Sequence, residues 1–514
     1  MMDKLKPSFW KSKESPIEGV PVIPNGTWYA GHLHLMQETD FRTSIRQFSV
    51  DHADEQGRCT FWMGPTTPSL SVTRCEDVQT LLKVSSHREL FPVMGVHMER
   101  FFGRYNIAAL TGNEWKSKRA AIIKALHGKK ALQHNEQAFR KAAHTLVRSL
   151  EDHKVDSVED ILHLMKLLTF DAFGSAGLSK DFGCCRQLKP SQVMKDFEYM
   201  SSEVMRRMTK DIFNPASHMY ALPTAANERY RRVMQRMSDY ILVIVDERRA
   251  LMAHTDDVEE VPPDLLTSLV EEANTDDGSI DEERMEQMLA DTIKSLLFAG
   301  YETTSVTMTY VLYLLSRHLD VEKRCLEEIL ATPQQLVYLE AVIKETLRLY
   351  PPAISTTRSL EREVRFGNIH VPKGMYLYFP IWVIQRDKRH FPDPLKFLPE
   401  RWARFDEATG SWVHRNYGDD IDFEGVPAGN PKAFVAFSSG ARSCAGQRFA
   451  IQEMTILLSV LLRRFKFEAP KDYVLKPHRE GFVQCPQGGI PMKVKRRSQT
   501  PTVQGEYLVL NPPL

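Results

Sequence analysis

The sequence predicts a mainly α protein with a smaller β-rich lobe, an α+β arrangement, and three observations lead there. Between residues 114 and 330 apolar side chains recur at helical spacing, as in Ala121, Ile122, Ala125 and Leu126 or Tyr240, Ile241, Ile244 and Val245. Residues 281–318 contain no proline and keep that period throughout, which predicts one long helix. β-prone runs punctuated by glycine and proline lie before residue 81 and again after Pro351, which predicts strands and tight turns at both ends of the chain.

Along the chain, residues 1–20 read as an extension. Lys4, Lys6, Lys11 and Lys13 are followed by no apolar run of signal-peptide length, so neither a leader nor an amino-terminal anchor is expected. Pro21, Pro24 and Gly26 mark turns, and Cys59-Thr60-Phe61-Trp62-Met63 suits a strand. The long helix opens with Asp281, Glu282 and Glu283, whose negative charge suits a helix start. Its apolar second half, with Leu296, Leu297, Phe298 and Ala299, places it in the interior. Beyond Pro351, Gly367-Asn368 and Pro372-Lys373-Gly374 sit between β-prone residues and predict tight turns. Residues 406–431 read as loop and residues 496–514 as a loosely held tail.

Composition narrows the function classes. The 514 residues are 42% hydrophobic and 26% charged with ordinary Gly and Pro usage, which excludes collagen-like, disordered and disulfide-scaffold chains. Lys plus Arg (67) and Asp plus Glu (66) nearly cancel, so nothing in the whole-chain charge argues for a nucleic-acid partner. Seven cysteines with one adjacent pair, Cys184-Cys185, form no disulfide pattern, and a reducing compartment is expected. Apolar runs such as 310–315 and 456–462 fall far short of the ~18 residues of a membrane-spanning helix. The expectation is a cytoplasmic, monomeric protein with no transmembrane segment.

One cysteine stands apart. In Phe437-Ser438-Ser439-Gly440-Ala441-Arg442-Ser443-Cys444-Ala445-Gly446, Cys444 lies between two glycines, two residues after an arginine and just before a helical pattern. Backbone N–H groups of a helix start and a tight turn can donate to a thiolate, and a positive helix end favours the anion that binds metal. Gly440 and Gly446 lack a Cβ and let a flat ligand approach the backbone, and Arg442 can pair with a carboxylate of such a ligand. A lone cysteine after a loop is more often a small buried hydrophobe. Yet Phe, Gly, Arg, Cys and Gly at these spacings arise by chance on the order of once in ten thousand chains.

This segment resembles the haem-binding signature of the cytochrome P-450 superfamily, the haem-thiolate monooxygenases, and the resemblance runs in family order from about residue 21 to 495. It implies the cytochrome P-450 fold, with a long central helix over a buried haem, in one catalytic domain over those residues. It implies heme b as cofactor, Cys444 as proximal iron ligand, Arg442 on a haem propionate and Phe437 shielding the sulfur. A thiolate ligand pushes electron density toward O–O bond cleavage. Glu345-Thr346-Leu347-Arg348 is similar to the family's E-x-x-R element, and Pro399-Glu400-Arg401-Trp402 to the element whose arginine completes a buried triad. Glu345, Arg348 and Arg401 are therefore assigned to holding the cysteine loop. The spelling alone is weak, since Glu203/Arg206 and Glu228/Arg231 share it.

Trp115 and Arg119, four apart on one helical face, are similar to the family's propionate-binding pair, and Arg358 matches a third propionate arginine. Ala299-Gly300-Tyr301-Glu302-Thr303-Thr304 is similar to the oxygen-activation motif. Thr303 is expected to bond back to the Ala299 carbonyl, distort the helix and open a groove, with Glu302 and Thr303 as the proton-delivery pair. The plainer reading of Gly300 is helix packing. The family's substrate segments imply a mainly apolar pocket from Phe101, Phe102, Leu296, Phe298, Ala299 and Ile354, with Phe482 to Cys485 as a further wall.

The implied reaction inserts one atom of O₂ into a small apolar organic substrate. Electrons would come from NADPH through a flavoprotein reductase, docked on the basic face carrying Lys116, Lys118, Arg119, Lys124, Lys129 and Lys130. The texture around residues 298–305 and 338–352 is most similar to microsomal members, which implies a possible peripheral contact with the cytoplasmic face of the endoplasmic reticulum through residues 190–224. The 330–338 link is shorter than in most of the family. Two rivals stand beside this reading: an isomerase or dehydratase of the same fold acting on peroxides without a redox partner, and a haem-dependent sensor.

Overall fold

The proline-free stretch forms one helix that runs through the interior, and the rest of the molecule is arranged around it. The computed structural model describes residues 14–497, apart from 28–29, 38–40, 65, 89–91, 255–259, 275–280, 333, 417–422 and 481–482. Residues 1–13 of the extension, the tail from residue 498 and Phe482 of the expected pocket lie outside the described residues. The helices that frame the site are α1 (Cys75–Val84), α2 (Pro92–Phe102), α3 (Gly112–His127), α4 (Lys129–His153), α5 (Ile161–Leu178), α6 (Gln192–Met208), α7 (Ala225–His254), α8 (Glu282–Arg317), α9 (Val337–Leu349) and α10 (Gln447–Arg464).

The start of α8 is as expected: the Asp281 side chain accepts from Arg284 N at 2.8 Å, and Glu282 and Glu283 occupy the positive first turn. From Met288 to Leu315 nearly every side chain is buried. Helix α5 is apolar on all sides because it is enclosed. It is long and apolar enough to cross a membrane, but 83% of it is buried inside the protein, so that surface is spent on the core. Each Leu, Ile or Phe buried there contributes about 1.5–3 kcal/mol relative to exposure. Helices α5 and α8 approach closely at Gly300, where a Cβ would stand 2.1 Å from the Phe173 ring. Thr169 Oγ1 donates across the seam to the Tyr301 carbonyl at 2.9 Å. Helix packing, the plainer reading of Gly300, is thus a role it fills, and α8 stays helical without a break through residues 299–304.

The β lobe draws on both ends of the chain. Strands β1 (Arg58–Trp62), β2 (Pro68–Val72), β3 (Thr356–Ser359) and β4 (Tyr376–Phe379) form one sheet in the order β1-β2-β4-β3. β1 and β2 are antiparallel with Arg58 opposite Val72, β2 and β4 parallel with Ser69 opposite Tyr376, and β3 and β4 antiparallel with Thr356 opposite Phe379. Gly367, at φ +55°, turns the small hairpin of Val364–Phe366 and Ile369–Val371. Two strand pairs depart from expectation. Val158–Asp160 interrupts the helical region to pair with Pro491–Arg496, and Ala403–Asp406 pairs with Ser411–His414 at the edge of the segment read as loop. Three or four residues carry too little alternation to register as a strand.

Candidate active site

The cysteine loop is a tight reversal. Ser438 N donates to Val435 O at 2.8 Å with Ser438 at φ +60°, and Cys444 N donates to Phe437 O at 2.8 Å, just before α10 begins. Gly440 has φ +72°, and a Cβ on it would stand 2.3 Å from the Leu82 carbonyl at the end of α1. Its glycine therefore serves the fit of loop to helix rather than the approach of a flat ligand. Gly446 is the one beside the sulfur, with Cys444 Sγ 4.0 Å from its Cβ position. Its backbone N–H and the Arg119 charge stabilise the thiolate, but burial outweighs both and the thiol is pushed up. The helix-start argument alone therefore does not give a thiolate here. Cys444 is deep in the protein yet keeps accessible surface, the mark of a side chain on the wall of an internal cleft.

Around the loop lie four guanidinium groups with no carboxylate partner among the described residues. Arg442 donates to Ser86 O (2.7 Å) and Leu110 O (2.6 Å), and its guanidinium lies 3.9 Å from the Trp115 ring centre. Arg119 reaches Ser443 Oγ at 3.3 Å and lies 5.8 Å from the same ring. Arg358 donates to Thr356 Oγ1, Thr357 O and Ser438 Oγ, and its Nε is buried without a partner. Arg88 Nε is likewise buried and unpartnered. Burial, reinforced by the repulsion of neighbouring arginines, pulls Arg358 down to about 9 and Arg442 to about 10. Burial lowers Arg88 and Arg119 as well. Cations crowded out of water without counter-charge are unfavourable unless an anion joins them.

Facing elements supply the rest. In the buried run of α8, Leu296, Ala299, Gly300 and Thr303 keep accessible surface, and their i, i+3, i+4, i+7 spacing puts them on one stripe. Thr303 Oγ1 donates to the Ala299 carbonyl at 2.8 Å, as the sequence predicts. Glu345 is fully buried on α9 and accepts from Arg348 Nη2 (2.8 Å), Arg401 Nε (3.3 Å), Trp402 Nε1 (2.9 Å) and Leu398 N (3.1 Å). Arg348 Nη1 donates to the Gln385 carbonyl, and Gln385 Oε1 accepts from Val435 N at 2.9 Å, which ties the cluster to the cysteine loop.

A family model described as cytochrome P450 matches residues 21–492. The chain belongs to the cytochrome P450 family. Among its curated relatives, the probable cytochrome P450 4ac3 of Drosophila melanogaster is 26% identical over 507 residues, covering 94% of this chain and 92% of the relative. The human cytochromes P450 4V2 and 4F8 are 24% and 25% identical, covering 93% and 88% of this chain and 90% and 84% of their own. The protein is therefore a haem-dependent monooxygenase that uses O₂, an organic substrate and a redox partner.

Several expected site residues of this P450 stand differently from expectation. The Glu302 carboxylate does not open on the accessible stripe. It is buried and paired with Lys166 Nζ at 3.3 Å, and Lys166 also lies 3.9 Å from Glu198. Adjacent positions on a helix differ by ~100° in direction, which separates the acid from Thr303. Phe101, Phe102 and Phe298 pack edge-on, with ring centres 4.5–5.3 Å apart. Phe298 and Phe101 are fully packed there, whereas Leu296, Ala299 and the half-buried Ile354 keep open surface. Lys118 is 5% exposed and drops out of the basic surface. Sequence reasoning passed over Arg88, Trp402 and Gln385, which stand at or support the site, and the buried Glu453. Glu453 on α10 is wholly buried, its carboxyl pushed well up by desolvation and facing Thr304. Of these, only Trp402 had a usable signal, its place next to Arg401. A separate surface cleft of about 310 Å³, between α6 and α7 and lined by residues such as Lys195, Tyr199 and Arg232, shares no residue with this site.

Proposed function

We propose that this P450 inserts one oxygen atom into a small apolar organic substrate, with heme b held by Cys444 and electrons drawn from NADPH through a flavoprotein reductase. The observation that carries the assignment of residues is the arginine cluster beside the cysteine loop, which has no carboxylate partner among the described residues. Arg88, Arg119, Arg358 and Arg442, the last lying 3.9 Å from the Trp115 ring centre, would fit two propionates, whose charge would replace repulsion by attraction. Cys444 would be the iron ligand, with the Gly446 N–H donating to its sulfur and Phe437 packed beside it. A coordinating metal removes the thiol proton outright, which offsets the burial that holds it on in the bare protein. When bound, the iron porphyrin supplies reductive activation of dioxygen.

Thr303 holds its hydroxyl proton on the accessible stripe of α8, against the Ala299 carbonyl, from where it can be turned into the cleft. Glu302 is assigned to holding α8 against α5 rather than to passing that proton. Leu296, Ala299, Ile354 and Phe102 are the apolar contacts proposed for the substrate. The reductase is placed on Lys116, Lys124, Lys129 and Lys130, all exposed. This placement is supported by the bond from His127, at the end of α3, to the Ala445 carbonyl at 2.9 Å, which sets that basic helix beside the cysteine loop. Phe213 and Met219, 40% and 53% exposed between α6 and α7, favour a peripheral membrane contact over a freely cytoplasmic protein.

The test is the carbon-monoxide spectrum of reduced holoprotein, followed by turnover of a lipid, sterol and terpenoid panel with NADPH, reductase and oxygen. The wild type is expected to give the red-shifted thiolate band, and Cys444→Ser to lose both band and turnover. No such band in the wild type, or turnover surviving in the serine variant, overturns the assignment.

A further inference from the structure

Away from the cysteine, one hydrogen-bonded chain of rings has no place in the chemistry above. His97, on α2 and wholly buried, has Nδ1 2.8 Å from the Tyr220 hydroxyl and Nε2 2.8 Å from His218 Nδ1. His218 Nε2 lies 2.9 Å from the Ile212 carbonyl. With both rings neutral the protons have one order. A carbonyl only accepts, so His218 carries its proton on Nε2 and its Nδ1 is bare; His97 Nε2–H donates there, which leaves His97 Nδ1 to accept from Tyr220. Every polar ring atom is then satisfied.

This chain fastens the connection 209–224, between α6 and α7, onto α2. That connection straddles two cores: Ile212 packs with Ile23, Phe61 and Tyr376 of the β lobe, and Tyr220 packs in the helical core. From α7, Asn227 Nδ2 donates to the Met219 and Leu222 carbonyls at 3.0 Å, and Arg231 donates to the Tyr220 carbonyl at 2.9 Å. One turn beyond His97, Phe101 and Phe102 pack on Phe298 of the central helix. The ring chain thus joins the seam between the two cores to the helix that carries Phe102, a residue proposed to line the substrate cleft.

We infer that His97, His218 and Tyr220 are positioning residues that hold residues 209–224 closed on α2 and thereby set how fast an apolar ligand enters the cleft, an inference that rests on the functional reading above. An added proton breaks the order: if it sits on His218, His97 must turn its donors around, and the Tyr220 proton loses its acceptor. The charge also has no welcome. Arg207 from α6 lies 4.3 Å over the Tyr220 ring, Arg100 from α2 lies 5.7 Å from it, and Arg231 and Tyr230 come in from α7. The nearby carboxylate, Glu203, is held by Arg206 and Arg207 at 2.8 Å. Burial, then His218 and Arg207, lowers His97 to about 4, against 6.5 for a free ring. A lowered folded value means that the closed state keeps its full advantage above about pH 6.5 and loses about tenfold per pH unit below it, as one proton is taken up on opening.

Two measurements on the full chain test this. Hydrogen exchange of amides 212–220, corrected for intrinsic rates between pH 8 and 5, is expected to show opening that rises about tenfold per unit below pH 6.5. Association of a bulky apolar 1,2,4-triazole, a probe that stays neutral over this range, is expected to rise in parallel when followed by the Soret shift of holoprotein. His97→Leu should be open at pH 8 with a flat profile, and Tyr220→Phe, which keeps the ring, should be faster at every pH. Exchange that is flat in the wild type, or triazole entry that does not follow it, overturns the inference. A missing thiolate band would sink the functional reading alone, because exchange is read on the protein whether or not haem is bound.

Discussion

Arg88 shows how one side chain can carry opposite signs in two states of the same protein. Its guanidinium is buried, unpartnered at Nε and repels Arg358 and Arg442. In protein without haem, Arg88→Met removes a buried charge that no carboxylate among the described residues compensates, and the thermal midpoint should rise. In haem-loaded protein the same change removes a propionate partner, and haem transfer to a scavenging apoprotein should quicken by roughly ten- to a hundredfold, on the scale of a charged hydrogen bond at about 1.5–3 kcal/mol. A midpoint that falls without haem, or haem loss that does not change, would remove Arg88 from the cofactor site. Cys444, Arg442, Trp115, Arg119 and the Glu345 cluster were legible in the sequence because each belongs to a spelled motif. Arg88 and Gln385 belong to none, and only folding brings them to the loop. Glu302 illustrates the converse: its place in a motif was legible, but the carboxylate's direction depends on Lys166, 136 positions earlier in the chain.

At the scale of elements, the α5–α8 seam is held by shape as much as by burial. Gly300 admits the Phe173 ring into a space that a methyl group would fill. Gly300→Ala is expected to destabilise the protein by about 1–3 kcal/mol through overpacking. Phe173→Leu in the same chain should restore part of that loss, a non-additivity that thermal melts of the two single variants and the double variant would reveal. Strictly additive losses would mean that the glycine serves α8 alone. The long helix was legible before the structure because its period is sustained and its start is acidic. The strand Val158–Asp160 was not, since its partner lies more than 300 residues away and pairing of that range leaves no local pattern.

For the whole molecule, a net charge of +1 says little about partners, but its distribution says more. Lys116, Lys124, Lys129 and Lys130 project from the helices beside the cysteine loop, while Lys118, the residue just before Arg119, turns inward and has its pKa lowered by burial. Exposed cations clustered on these helices would create a field that an acidic electron donor can follow during encounter, and such steering acts mainly on the association rate. Reversing two of them, Lys124→Glu with Lys130→Glu, should slow first-electron transfer from a flavoprotein reductase by roughly tenfold or more at low salt, as read by stopped-flow formation of the reduced carbon-monoxide band. The gap should narrow as salt rises, since at 0.15 M the field is screened beyond about 8 Å. Lys118→Glu is the contrasting case: a buried acid replacing a buried lysine should lower stability without the salt-dependent signature. Equal reduction rates for the wild type and the double reversal across the whole salt range would move the reductase to another face of the molecule.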